Sequence, residues 1–171
     1  MANRPILASS CARAATAAEA RFRIDAKVPE HWRSARVIAL DDAAAGAVDR
    51  VPNQQWRARF YSIRTGPAPQ QRGDGAGNVL LRDRSGSDVL LADELIDADL
   101  AVMVATSDRA ALPAAAIAAA CAGLGIMTAG LVLGSGDEAG SAAYALRPYA
   151  RVMLITADED DVSAILQALR A

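Results

Sequence analysis

The sequence predicts an α/β fold, a three-layer sandwich around a mostly parallel sheet of five to six strands. Two apolar runs carry the prediction, Leu100–Ala105 and Ile126–Leu133, with almost no polar interruption. Strands apolar on both faces belong to a parallel sheet covered by helices, whereas half-exposed strands alternate. A third observation lies between them. Pro113–Leu124 is nearly all Ala, Ile, Leu and Cys, a strong helix former opened by proline, which suits a first turn. Gly123 and Gly125 end it, because glycine accepts the left-handed cap conformation. Strand, helix and strand at this spacing form a right-handed crossover between parallel strands.

The other elements follow in chain order. Residues 1–30 read as a helical or flexible segment ahead of a single domain over 31–171. Cys11–Ile24 is rich in Ala and Arg, as in a surface helix. Ser9-Ser10-Cys11 lacks the apolar stretch that a secretory or lipoprotein signal needs. Pro29–Trp32 is a connector holding His31, the only histidine. A lone histidine beside a tryptophan reads as a packing or surface residue. Arg36–Leu40 is the first strand. Asp41 and Asp42 follow it and open a helix over Ala43–Val48, where an acid caps the N-terminus. Ala58–Ile63 is the second strand, flanked by Arg57, Arg59 and Arg64. Thr65–Asn78 is an irregular loop rich in Gly, Pro and Gln. Val79–Arg82 reads as a short strand hairpinned to the second, Asp83–Gly86 as a turn, and Asp88–Ile96 as a helix. After Leu133, a loop leads to a helix over 141–147. Arg151–Thr156 is the last strand, Ala157–Asp161 an acidic turn, and Val162–Leu169 the closing helix.

Composition narrows the function. The chain has 171 residues, net charge −2 and 4% aromatic residues. Alanine makes up about a quarter of it, so the core is aliphatic. A pI near 5.4 argues against nucleic acid as a partner. Lys27 is the only lysine; the preference for arginine reads as the codon bias of a GC-rich bacterial genome. Cys11 and Cys121 are the only cysteines, too few and too far apart for a disulfide framework or a zinc site, which predicts a reducing cytoplasm. No run reaches the ~20 apolar residues of a membrane span. There is no GxxxxGK[ST] loop, no GxSxG elbow, and no histidine or cysteine partner for a nucleophile system. These absences predict no catalytic residues and no metal, and they name no cofactor.

In open parallel sheets, ligands sit at the carboxyl ends of the strands. Those positions are Asp41 after the first strand, Thr106, Ser107, Asp108 and Arg109 after 100–105, and Gly134, Ser135 and Gly136 after 126–133. Gly134, Gly136 and Gly140 together have the look of a dinucleotide-type phosphate turn. Asp137 and Glu138 stand where a phosphate would approach and would repel it. Ser107 and Asp108 are equally good helix caps.

Ala98–Leu133, continued by Ala145-Leu146-Arg147 to Thr156, resembles the second half of the GTPase domain of FtsZ, the bacterial tubulin homologue. The shared pattern is Ala-Asp before an apolar strand, a turn, a proline-started helix, a glycine and an aliphatic strand, followed by a further helix and strand. The resemblance spans about a third of the chain and implies a Rossmann-like fold. Its GGGTGTG phosphate loop would fall at Ala105–Leu112, where this chain reads ATSDRAAL without a glycine. GTP binding of that kind therefore does not carry over, and the resemblance implies a degenerate site.

Two functions remain open on sequence. One is a non-catalytic accessory or assembly subunit working through protein contacts, as a homo-oligomer or on a larger protein. The other is a binding protein or enzyme for a nucleotide-like or acidic small molecule at the strand ends.

Overall fold

A computed structural model describes residues 33–52, 57–64, 79–158 and 161–170, all within one compact unit, His31–Ala171. The segment 1–30, the His31-Trp32 connector and the loop 65–78 lie outside the described residues.

The elements are β1 (Ala35–Ala39), α1 (Asp42–Arg50), β2 (Ala58–Ile63), β3 (Leu80–Asp83), β4 (Asp88–Leu90), α2 (Leu91–Leu95), β5 (Leu100–Ala105), α3 (Ala111–Leu124), β6 (Met127–Leu133), α4 (Gly136–Leu146), β7 (Val152–Thr156) and α5 (Asp161–Leu169). A 3-10 turn, Asp108–Ala110, leads into α3. All seven strands form one mixed sheet in the order β4-β3-β2-β1-β5-β6-β7. From β2 to β7 the neighbours are parallel, and β3 and β4 add an antiparallel hairpin beside β2. The sheet is thus larger than the five to six strands expected, because Asp88–Leu90, expected as helix, adds a seventh strand beside the expected Val79–Arg82 one.

Chain direction dictates where the helices lie. β1 passes through α1 to β2 on one side, while β5 and β6 pass through α3 and α4 to the other side. Crossovers keep one hand, so reversing the direction of travel puts the helices on the opposite face. The two cores match that rule. Ala35, Val37, Val102 and Leu131 meet α1 and α5 through Val48, Val162 and Leu166. Ile38, Met103 and Val132 meet α2, α3 and α4 through Leu95, Ile117 and Leu146. Successive strand residues alternate between the two cores, which is why β5 is apolar throughout and β1 is apolar at every position but Arg36.

Local chemistry sets the ends of the helices. Asp41 caps α1 by accepting from the Ala44 N–H at 2.9 Å. At its other end, the Arg84 guanidinium donates to the Val48 and Val51 carbonyls at 2.5 and 3.1 Å and lies 4.0 Å over the Phe60 ring. A cation there offsets the negative end of the helix. Gly125 closes α3 with φ +71°, so the left-handed cap is real. Gly123, the other expected stop, lies inside the helix.

Two elements differ from expectation. Asp88–Leu90 is a strand and not the start of a helix. Asp88 pairs with Arg64 at 2.7 Å and Arg82 at 3.2 Å, which holds it in the hairpin. The helix after β6 begins at Gly136 and not at 141. Gly136 has φ +70° and Gly140 sits within the helix.

Cys121 is fully buried against the sheet, and burial pushes its thiol up to about 11. Cys121 is therefore expected to resist alkylation in the native state and to react only on unfolding, which peptide mapping after a timed pulse of reagent will show.

Candidate functional site

The point of reversal lies between β1 and β5. In an open sheet this is where a crevice forms at the carboxyl ends of the strands. Here the chain's own carboxylate bridges it. Asp41 Oδ2 accepts from the backbone N–H groups of Thr106 at 2.8 Å and Ser107 at 3.3 Å. Asp41 Oδ1 accepts from the Thr106 hydroxyl at 2.7 Å as well as from Ala44. One side chain thus caps α1 and ties the end of β1 to the end of β5. Leu40 N–H adds a backbone bond to the Val104 carbonyl at 2.8 Å.

Two clefts flank the Thr106-Ser107 ridge. One, of about 550 Å3, is lined by Asp41, Thr106, Ser107, Arg109, Leu112 and Pro113. The other, of about 500 Å3, is lined by Thr106, Ser107, Asp108, Gly134, Ser135 and the acids Asp137 and Glu138. The structure therefore brings the expected residues to one end of the sheet but divides them. Arg109 stands in the first cleft, and Gly134 and Ser135 in the second. Gly136 belongs to a third groove of about 810 Å3 with Asp108, Tyr144 and Tyr149. Ser107 and Ser135 occupy N-cap positions, yet neither side chain makes a cap hydrogen bond. The second cleft carries Asp108, Asp137 and Glu138 with no cation among the described residues that line it, a poor field for a phosphate.

A second polar cluster lies at the start of the strands. Arg36, almost fully buried on β1, donates through Nε to the Glu94 carbonyl at 2.6 Å, and its Nη1 reaches Ser34 Oγ at 3.0 Å. The Glu94 carboxylate also lies 3.6 Å from Arg36 Nε and 3.2 Å from Arg59 Nη1. It accepts a short hydrogen bond from the Tyr61 hydroxyl. Burial first, and then the Glu94 carboxylate, push the Tyr61 phenol up to about 12. The sequence holds one sign of this cluster, an arginine inside an otherwise apolar strand. Its partners lie on β2 and α2, and no spacing reveals them. The groups satisfy one another, which makes the cluster a brace between α2 and the sheet. Among the described residues, no group of three or more His, Cys, Asp or Glu side chains is placed to hold a metal.

Comparison with known proteins finds no matching family model, curated protein or solved structure.

Four outcomes follow from this geometry. Asp41→Ala removes the cap and leaves buried donors unmet, and is expected to cost about 2–3 kcal/mol in chemical denaturation. Asp41→Asn keeps an acceptor for Ala44 but turns a donor toward the Thr106-Ser107 amides, so it falls between the two. Glu94→Ala strands the buried Arg36 charge and is expected to cost about 3 kcal/mol in the same measurement. For pH, Tyr61 holds its proton more tightly folded than unfolded, where a phenol titrates near 10. Its contribution is therefore complete below pH 10 and is lost as pH rises through about 12. Tyr61→Phe should flatten the loss of stability in that alkaline window and remove the latest-titrating phenolate absorbance.

Proposed function

We propose that this chain is a non-catalytic, Rossmann-like accessory or assembly subunit that acts in the cytoplasm through protein–protein contacts. The observation that carries the reading is α3. Its 14 residues, ALPAAAIAAACAGL, include no polar or charged side chain, yet the sheet covers one side only, through Ala114, Ile117 and Cys121. Leu112 is 85% and Leu124 57% exposed, and Ala119, Ala122 and Gly123 are exposed between them. A helix apolar all round is normally buried all round. Small side chains along the outer face let another backbone approach closely. The Asp41 bridge supports the same reading, since it ties together the ends of β1 and β5, between which a Rossmann-like enzyme holds its ligand.

The reading of a small-molecule binder at the strand ends rests on the two clefts beside Thr106 and Ser107. Their acids oppose the acidic or nucleotide-like ligand that reading names, and among the described residues Arg109 is the one cation lining them.

Ala119→Glu places a charge on the outer face of α3 without touching the core. Native mass spectrometry of the protein from its own host is expected to show an added protein mass that Ala119→Glu removes and the pair Asp108→Ala, Arg109→Ala retains. An added mass of nucleotide size, lost in the Asp108 and Arg109 variants and kept in Ala119→Glu, overturns the reading.

A further inference from the structure

The two edges of the sheet are built differently. β4, at one edge, has three residues and carries Asp88 in ion pairs with Arg64 and Arg82. Short, charged edges resist pairing with other chains. β7, at the other edge, reads VMLIT, with neither charge nor proline. Among the described residues only β6 pairs with it. Val152 is 39% and Ile155 57% exposed. The pleat sends these two to opposite faces, so each face of the sheet ends in an exposed apolar side chain.

We propose that β7 pairs antiparallel with β7 of a second copy of this chain, joining the two sheets across a two-fold axis. The inference rests on the assembly reading and names one of its partners.

The backbone sets the register. The Thr156 carbonyl accepts from Gly134 N–H at 2.9 Å and so faces β6. By the two-residue alternation, Val152 and Leu154 also direct their backbone groups at β6, and Met153 and Ile155 direct theirs outward. In antiparallel pairing outward residues must face outward residues. Centring the axis on Leu154 meets that rule with the longest overlap. Met153 then exchanges hydrogen bonds with Ile155 of the second copy, Leu154 faces Leu154, and Val152 faces Thr156. Charge agrees with this arrangement. The strand has Arg151 just before it and Asp158 shortly after it, both exposed. Antiparallel pairing sets the basic start of one copy beside the acidic end of the other, while parallel pairing would bring like charges together. A two-fold contact of this kind closes without propagating.

The full chain is expected to be a dimer by sedimentation equilibrium. Ile155→Pro removes an outward N–H that the β6 ladder does not use, and is expected to give a monomer with an unchanged circular dichroism spectrum. Should proline disturb the fold, Ile155→Lys keeps the backbone and is expected to give the same monomer. In a Cys11→Ser background, Leu154→Cys places two thiols at the axis, at a separation a disulfide can span. It should cross-link under mild oxidation where Ile155→Cys does not. A wild-type monomer, a dimer indifferent to both Ile155 variants, or cross-linking at 155 and not at 154 overturns the inference. A wild-type monomer that still holds an α3-dependent protein partner ends the β7 inference alone. A monomer that carries a small-molecule mass instead ends the assembly reading with it.

Discussion

The Asp41 carboxylate is the constraint around which the sheet is arranged. A doubly wound sheet changes direction once, and at that point neighbouring strands send their chains to opposite faces. The ends of β1 and β5 are therefore splayed, and their backbone amides need acceptors. Asp41 supplies them for Thr106 and Ser107 and caps α1 with the same group. Both oxygens are committed to the chain, so stability here is gained at the place where related architectures leave room for a ligand.

That exchange shapes the rest of the molecule. With the crevice bridged, what remains at this end are two separate clefts, one of them lined with acids. The charged residues that are well buried, Arg36 above all, are engaged in bracing α2 against β1 and β2. The chain's unmatched features are apolar instead. They are the outer face of α3 and the outer edge of β7, each with large side chains left in water. Apolar surface of this kind lowers its free energy by being covered.

The two apolar features differ in what they accept. A strand edge has a direction and a register, so it selects a strand of matching length. The face of α3 has small side chains and no hydrogen-bonding groups beyond its backbone, so it selects by shape. One chain can use both at once, because β7 lies at the edge of the sheet while α3 packs over its middle strands.

The sequence by itself determined most of the parallel half of the fold. β5 and β6 were legible because strands buried on both faces must be apolar throughout, and α3 because alanine, proline and glycine mark a helix and its ends. Asp41 was legible as a cap, since an acid between a strand and a helix meets a local donor three residues on. Its bridge to Thr106 and Ser107 was not, because those donors lie 65 and 66 residues away. For the same reason the strand-end residues could be named as a group, but not divided between clefts. The strand at β4 and the early start of α4 were not legible either. Asp88 becomes a strand residue through Arg64 and Arg82, and Gly136 opens a helix at a φ only glycine adopts with ease. Local propensity acts over a few residues. Which carboxylate meets which amide, and which edge is left open, depends on strand order, and strand order exists only once the chain has folded.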